Sequence, residues 1–154
     1  MIESCCHRQS SISKSHRIVL NIDPLPEYID GDRLALEQVF SNLLSNAVKY
    51  APGYPDIHVS GSVEGDVVRV TVQDNGVGID ADDVPKIFQR YFRARTSTGI
   101  PGTGIGLHLV KQIVDLHHGL IEIESQKGKG TSLIVTLPVR QKAPIESDEL
   151  TNVA

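Results

Sequence analysis

The alternation of apolar and polar positions between Asp32 and Ala51 follows the 3.6-residue repeat of an amphipathic helix. Asp32 is a suitable N-cap, and Ala51-Pro-Gly ends the pattern. The apolar positions, at spacings of three and four, form the face expected to pack on a core: Leu36, Val39, Phe40, Leu43 and Ala47. The pattern therefore predicts one long helix with a buried face.

A neighbouring face of this helix carries Asn42, Asn46 and Lys49 at spacings of four and three, so the three side chains share an arc. Asparagine is a poor helix former, because its amide competes for nearby backbone groups. Its carboxamide oxygen is a neutral, hard ligand that suits Mg²⁺, and a lysine one turn away suits phosphate. Taken alone, the arc fits a metal–phosphate site and also fits a solvated face with chance asparagines.

Five shorter segments have the composition and alternation of β-strands: residues 16–22, 57–63, 67–73, 120–125 and 131–137. Glu64-Gly-Asp and Gly128-Lys-Gly join four of them into two hairpins. Between the hairpins, residues 80–93 read as two short helical pieces, and residues 102–118 as a longer helix. The order β, α, ββ, α, α, ββ predicts an α+β fold, a two-layer sandwich with helices on one face of a mostly antiparallel sheet.

Other parts of the chain lack this periodicity. Residues 1–15 are rich in serine, so we expect a frayed lead-in before a domain that spans residues 16–140. Residues 141–154 are charged and aperiodic, which predicts a disordered tail. Residues 94–101 combine Thr, Ser, Gly and Pro with few apolar side chains, which predicts a mobile loop.

Composition argues against several classes of function. The chain has 154 residues, a formal net charge of −4 and a pI near 5.8, so it lacks the broad basic surface of a nucleic-acid-binding domain. No apolar run approaches the roughly 20 residues of a membrane span, and the polar N-terminal residues do not form a secretory signal. Cys5 and Cys6 are adjacent, which suits neither a disulfide scaffold nor a zinc site, so a reducing, cytoplasmic setting is expected.

Two glycine-containing segments are candidates for ligand contact. In Gly102–Gly106, glycine occupies every second position just before a predicted helix, where exposed amides bind anions. In Asp74–Gly78, the carboxylate either shapes a turn or accepts a hydrogen bond from an exocyclic amine. There is no P-loop motif, and the loose dinucleotide fingerprint at residues 76–81 lies in a predicted hairpin rather than a βαβ unit. No histidine has partners at metal-site or triad spacing.

Taken in order, these segments resemble the ATP-binding catalytic domain of sensor histidine kinases, in the superfamily shared with gyrase, heat-shock chaperone and mismatch-repair ATPases. The resemblance spans residues 18–139. Five blocks are similar to the family's N box (Asn42–Tyr50), first glycine box (Asp74–Ile79), F box (Phe88–Arg93), second glycine box (Gly102–Leu107) and third glycine box (Gly128–Thr131). The resemblance implies a Bergerat-type sandwich, with a mixed sheet of about five strands covered on one face by about three helices.

The resemblance implies that ATP and Mg²⁺ are the cofactors. Asn46 would ligate Mg²⁺, and Lys49, together with Arg90 or Arg93, would contact the phosphates. Asn42 would share this part of the site as a catalytic residue. The second glycine box would cover the triphosphate beneath a mobile lid at residues 93–101.

The resemblance also implies how the base is bound. Asp74 would bind the adenine amino group, Thr131 would support it through water, and Tyr50 would pack near the base. Further nucleotide contacts would come from the two glycine boxes, at Gly76, Gly78, Ile79, Gly102, Thr103, Gly104, Ile105, Gly106 and Leu107.

Asn42 stands where the ATP-hydrolysing members of the superfamily carry a water-activating glutamate. Because asparagine cannot act as a general base, the site is expected to keep ATP and transfer its γ-phosphoryl to another acceptor. The family's acceptor is a histidine followed by an acidic residue, and none of the six histidines here has that context.

The expected partners are therefore a dimerisation domain that carries the phosphoacceptor histidine and, through the parent kinase, a response regulator. Residues 1–15 could be a remnant of that domain, and the parent kinase could be anchored in a membrane although this chain has no predicted span. A stand-alone serine kinase of the anti-sigma-factor type and a non-catalytic ATP-dependent regulatory module are the alternatives.

Overall fold

The structure, a computed structural model, describes residues 1–140. The predicted disordered tail at residues 141–154 lies outside the described residues. The helices are α1 (Ile2–Ile12), α2 (Arg33–Lys49) and α3 (Gly106–Leu116), with short 3₁₀ turns at Val84–Lys86 and Arg95–Ser97. The strands are β1 (Arg17–Ile22), β2 (Asp56–Glu64), β3 (Val67–Asp74), β4 (Leu120–Gln126) and β5 (Gly130–Pro138).

The five strands form one sheet in the order β1-β2-β3-β5-β4. Strand β1 is parallel to β2, and every other pair is antiparallel. In β3 the buried residues Val68, Val70 and Val72 alternate with more exposed positions, as expected of a sheet covered on one face. The predicted α+β sandwich with a mixed, mostly antiparallel sheet is confirmed.

Helix α2 provides much of the core and confirms the helix predicted from the hydrophobic pattern. Its first turn is capped by Asp32, whose Oδ1 accepts a hydrogen bond from the Ala35 N–H at 3.0 Å. Phe40 and Leu43 are fully buried and pack in one cluster with the inner faces of the strands and with α3. Each such side chain contributes about 1.5–3 kcal/mol of transfer free energy, so the core face of α2 fixes its rotation about its axis.

The prediction of a frayed lead-in is wrong for residues 2–12, which form helix α1 against α2. Cys5 and Cys6 are both buried there, and Ile2 packs against the same core. Ile2, Cys5, Cys6 and Gln9 have helical spacings of three and four, but the serines and the small apolar side chains obscured this pattern. Within residues 1–140, no helix combines the length and hydropathy that a membrane span requires.

The two short helical pieces predicted at residues 80–93 reduce to turns and one 3₁₀ helix, Val84–Lys86. Pro85 lies in its first turn, and the segment bends sharply at Tyr91, which has a φ of 64°. The Tyr91 N–H donates to the Gly104 carbonyl at 2.9 Å instead of continuing a helical ladder. The segment therefore turns at Tyr91 and lies beside the second glycine box.

Candidate functional site

One cavity lies between the sheet, α2 and the segment at residues 87–107. The sheet provides its floor through Val72, Asp74, Ile123, Thr131 and Leu133. Val72 pairs with Leu133, and Asp74 with Thr131, so these four residues form adjacent rows of β3 and β5. The floor is therefore apolar except at its strand ends, where a carboxyl and a hydroxyl lie side by side.

Helix α2 forms one wall of the cavity. Asn42, Asn46 and Lys49 all line it, and Tyr50 follows at the C-cap. The asparagines lie one turn apart on the side of α2 that faces the cavity, and their neighbours Leu43 and Ala47 continue into the core. The polar arc predicted from the spacing is therefore brought into a concave site rather than exposed on a convex surface.

The ends of three side chains converge beside Gly102. A methyl group on Gly102 would lie 2.6 Å from Lys49 Nζ and 3.5 Å from both Arg93 Nη2 and Tyr50 Oη. Arg93 donates to the carbonyl oxygens of Ser97 and Ile100. Between residues 1 and 140, no carboxylate forms a salt bridge with Lys49 or Arg93. Two cations without a carboxylate partner make this part of the cavity suited to an anionic ligand.

The carboxyl of Asp74 is the buried acidic group of the cavity, with only 6% of the residue exposed. Its Oδ1 accepts a hydrogen bond from the Gly76 N–H at 2.8 Å, and the Thr131 N–H is a second backbone donor. Burial raises the pKa of Asp74 to about 6, although the two N–H donors act in the opposite direction. Above that pH the carboxylate is an unneutralised acceptor that faces the cavity.

Close backbone contacts explain two glycines of the first glycine box. A Cβ on Gly76 would lie 1.9 Å from the Tyr50 carbonyl oxygen, and one on Gly78 would lie 2.0 Å from the Gln126 carbonyl oxygen. The Val77 N–H donates to the same Tyr50 carbonyl at 2.9 Å. Through these contacts the segment that follows Asp74 packs closely against the C-terminal end of α2 and against the β4–β5 hairpin. This packing fixes the position of the sheet relative to α2 at the cavity.

The opposite wall includes Ala94, Thr96 and Ser97, from the segment predicted as a mobile lid. The buried Asp83 Oδ2 accepts hydrogen bonds from the Arg95 backbone N–H at 2.9 Å and from its Nε at 3.2 Å. Arg95 holds the pKa of Asp83 below its usual value, chiefly through its backbone N–H. The Thr96 hydroxyl donates to the Gly78 carbonyl at 2.7 Å. The Thr96 bond ties this wall to the first glycine box, and the Arg95 bonds tie it to Asp83 before the 3₁₀ turn. The mobility of the segment stays a prediction.

The site residues predicted from the five family blocks fall into two groups, those that line the cavity and those that do not. Those that line the cavity are Asn42, Asn46, Lys49, Tyr50, Asp74, Gly78, Ile79, Arg93, Thr103, Gly104, Gly106, Leu107 and Thr131. Gly76, Arg90, Gly102 and Ile105 do not line it. Arg90 instead stacks on the Tyr91 ring, 4.9 Å from its centroid, so of the two arginines only Arg93 faces the cavity.

A family model described as "Histidine kinase-, DNA gyrase B-, and HSP90-like ATPase" matches residues 31–141, which include all of α2, the cavity and the sheet from β2 to β5. The chain belongs to this ATPase family. The match starts just before the cap of α2 and ends after β5, so it covers every element that contributes to the site.

Relatives of the ATPase domain include sensor kinases from several bacteria. This chain is 35% identical to the sensor histidine kinase WalK of Bacillus subtilis over 136 residues. The aligned region covers 85% of this chain and 22% of the relative. This chain is 31% identical over 152 residues to the sensor-like histidine kinase SenX3 of Mycolicibacterium smegmatis, covering 97% of this chain and 40% of the relative. The chain thus spans less than half the length of these curated relatives.

Solved structures give the same result for the fold. The mycobacterial sensor histidine kinase MprB superimposes with a TM-score of 0.81 at 26% identity, over 92% of this chain and 95% of that chain. ShkA, solved at full length in complex with AMPPNP, superimposes with a TM-score of 0.75 at 25% identity, over 94% of this chain and 31% of that chain. The ATPase domain therefore has the fold of a histidine kinase catalytic domain.

The sequence did not predict every residue that lines the cavity of the ATPase domain. The residues that it did not predict are mostly apolar or lie in the lid segment: Leu43, Ser45, Ala47, Val72, Val77, Ile87, Phe92, Ala94, Thr96, Ser97, Ile123 and Leu133. A usable signal existed for Val72 and Leu133, because each lies two residues from Asp74 or Thr131 and so shares its face of the strand. The resemblance predicted a lid at residues 93–101 but none of its individual contacts, because an aperiodic segment does not indicate which side chains, such as Thr96 and Ser97, line the cavity.

Proposed function

We propose that the ATPase domain binds Mg·ATP in this cavity and transfers the γ-phosphoryl to a histidine on a separate dimerisation domain. The observation that carries the proposal is the placement of two unneutralised cations and two asparagines in one cavity with a buried carboxylate. The sensor kinase names of the relatives support the same reaction. Catalysis would then consist mainly of positioning and charge neutralisation, which phosphoryl transfer requires.

The triphosphate is assigned to the region beside Gly102. Lys49 and Arg93 would contact its oxygens there, and Arg90 would not, because it lies outside the cavity. Gly104 and Gly106 line the adjoining segment, which leads into the start of α3. Backbone N–H groups at a helix start favour anions, so the second glycine box adds to the two side-chain cations.

Mg²⁺ is assigned to Asn46. Among residues 1–140, no group of three or more His, Cys, Asp or Glu side chains could hold a metal ion without help from a ligand. Mg²⁺ prefers oxygen ligands and commonly keeps several waters and phosphate oxygens. A carboxamide oxygen in the cavity wall fits this ligand set, in which the nucleotide brings most of the donors. When bound, the metal would neutralise charge on the transferring phosphoryl group.

The base is assigned to the apolar floor. Asp74 and Thr131 close the polar end of that floor, and Val72 and Leu133 would lie against the purine ring. An ionised Asp74 accepts hydrogen bonds and donates none, so it would select the amino group of adenine. Tyr50, which was expected near the base, is instead assigned to the phosphate region because its hydroxyl lies beside Gly102 with Lys49 and Arg93.

Asn42 supports transfer over hydrolysis. It lines the cavity on α2 one turn before Asn46, where a carboxylate could otherwise activate water. A carboxamide has no such basicity, so bound water would not be activated and the γ-phosphoryl would be kept for an acceptor that docks at the site. We therefore assign a dimerisation domain with its phosphoacceptor histidine as the direct partner and a response regulator as the next acceptor. The reaction is assigned to the cytoplasm, where ATP is available.

The proposal is tested by incubating this chain with γ-labelled ATP and a purified dimerisation domain of a sensor kinase. Label is expected on that domain only, and it should be lost in acid, because phosphohistidine is acid-labile and phosphoserine is not. The Asn46→Ala variant should abolish transfer. Asn21→Ala, at an exposed position on β1, is the matched control and should transfer at the parent rate.

The other outcomes of this assay point to the alternatives. Acid-stable label on a supplied protein would replace the proposal with a serine kinase. Rapid release of inorganic phosphate by this chain alone would assign it to the hydrolysing branch of the family. Binding of ATP without transfer to any of a set of histidine-containing domains would assign a regulatory role instead.

A further inference from the structure

Ser125, near the end of β4, joins three segments around the base end of the cavity without lining the cavity itself. The Ile79 N–H donates to Ser125 Oγ at 2.9 Å. Ser125 Oγ is also 3.0 Å from the Gly130 carbonyl oxygen and 2.8 Å from Thr131 Oγ1. The hydroxyl therefore links the first glycine box to the third.

Proton counting gives each of these contacts a direction. A serine hydroxyl has one proton and two lone pairs. The Gly130 carbonyl can only accept, so Ser125 must donate to it, or two oxygens would face each other at 3.0 Å without a proton between them. The Ile79 N–H takes one lone pair of Ser125. The remaining lone pair must accept from Thr131, so the Thr131 hydroxyl proton points to Ser125.

This direction determines what Thr131 offers to a ligand. Because Thr131 donates its hydroxyl proton to Ser125, its Oγ1 has only lone pairs left to present to the cavity that Thr131 lines. Its register partner on β3 is Asp74, whose carboxylate also only accepts. The base end of the cavity thus presents two neighbouring acceptors, which match a group with two N–H donors such as the 6-amino group of adenine.

We propose that Ser125 is a positioning residue that sets base selectivity by holding the Thr131 hydroxyl as an acceptor. This inference rests on the proposed function, in which the cavity binds an adenine nucleotide. A 6-oxopurine such as hypoxanthine could give its N1–H to Asp74, but its O6 would then face the lone pairs of Thr131. Without Ser125, the Thr131 hydroxyl could rotate and donate to O6, so discrimination against the 6-oxopurine would weaken.

The test compares the binding of ADP and IDP, which differ at this edge of the base, by isothermal titration calorimetry with Mg²⁺. The parent is expected to prefer ADP. Ser125→Ala is expected to reduce the ADP/IDP affinity ratio by about three- to tenfold, the effect of one neutral hydrogen bond. Ser125→Thr keeps the hydroxyl and should keep the ratio. Ser132→Ala, at the next position after Thr131 but outside this cavity, is the matched control and should also keep it.

The outcomes distinguish a failure of this inference from a failure of the proposed function. If Ser125→Ala weakens ADP and IDP by the same factor, or leaves the ratio unchanged, Ser125 has only a structural role and the inference is overturned. If the folded parent binds neither nucleotide, the proposed function itself fails. If Ser125→Ala does not fold, Ser125→Cys carries the same test, because its thiol is a weak hydrogen-bonding group of similar shape. A reduced ratio in Ser125→Cys supports the inference, and an unchanged one overturns it.

Discussion

Replacing Asp74 by asparagine is expected to stabilise the nucleotide-free protein while it weakens adenine binding. The carboxyl is buried, and its burial raises its pKa to about 6 from 3.8. A pKa raised in the folded state means that the folded protein binds the proton more tightly than the unfolded chain does. This contribution to stability is fully present below pH 3.8 and is lost as the pH rises through about 6.

The size of the effect follows from that difference. Each pH unit between the folded and unfolded pKa values is worth about 1.4 kcal/mol, so an ionised Asp74 costs about 3 kcal/mol of stability above pH 7. Asparagine removes the charge, and its Oδ1 can still accept from the Gly76 N–H. Its amide N–H₂ has no assigned partner in the free protein, which reduces the gain to about 1–2 kcal/mol.

Urea unfolding of the parent and Asp74→Asn at pH 4 and pH 8 measures how the difference in their free energies of unfolding changes with pH. The variant should be less stable than the parent by about 1–2 kcal/mol at pH 4, where only the unpaired amide counts, and more stable by about 1–2 kcal/mol at pH 8. Asp56→Asn is the matched control, since Asp56 is paired with Arg17, which holds its pKa below the usual value, and should show no such gain. A loss of stability in Asp74→Asn at pH 8, or an equal change at both pH values, would refute the reasoning.

The same variant should bind ATP more weakly by about tenfold to a hundredfold, because a charge-assisted hydrogen bond is worth about 1.5–3 kcal/mol. The parent should bind ATP far more tightly than GTP, which has a carbonyl in place of the amine. ATP affinity of the parent should also fall as the pH drops below about 6, since protonation of Asp74 removes the acceptor. Equal affinities for ATP and GTP would show that Asp74 acts only as a turn residue.

Other side chains of the cavity give further expectations. Arg93→Ala should weaken ATP binding by about tenfold, whereas Arg90→Ala should leave the calorimetric affinity nearly unchanged, because only Arg93 faces the cavity. Asp83→Ala should speed nucleotide release several-fold in a stopped-flow assay, because it removes the carboxylate that holds Arg95 of the lid segment to the start of the 3₁₀ turn at Val84–Lys86; an unchanged release rate would show that this bond does not restrain the lid. Asn46→Ala should bind ATP with an affinity that depends less on Mg²⁺ than that of the parent, and an unchanged Mg²⁺ dependence would remove Asn46 as a ligand.

The sequence predicted the elements with a strong period more reliably than those without one. The ends of helix α2 and of the five strands were predicted to within a few residues. Apolar positions repeat regularly along each of these elements, and turn-forming residues mark where each one ends. Helix α1 was missed, since Cys5 and Cys6 bury little area and lie among serines. The segment before Arg93 was assigned too much helix, because tertiary bonds such as Tyr91 N–H to the Gly104 carbonyl override its local propensity.

The same distinction applies to the candidate site. Spacing alone brought Asn42, Asn46 and Lys49 to one arc, and the structure places that arc in the cavity. Spacing could not choose between Arg90 and Arg93, because the choice depends on the bend at Tyr91. The role inferred for Ser125 depends on bonds between residues 79, 125 and 131, whose proximity arises only when the hairpin and the glycine box are packed together.

The central claim is that the cavity between α2 and the sheet holds Mg·ATP. Calorimetry of this chain with a non-hydrolysable ATP analogue tests it most directly, with Lys49→Ala as the site variant and Lys111→Ala as its control, because Lys111 is partly exposed, pairs with Asp115 and does not line the cavity. We expect one nucleotide per chain, weaker binding when Mg²⁺ is chelated, and a loss of affinity in Lys49→Ala only. Absence of binding in a folded sample, or equal binding by both lysine variants, would contradict the claim.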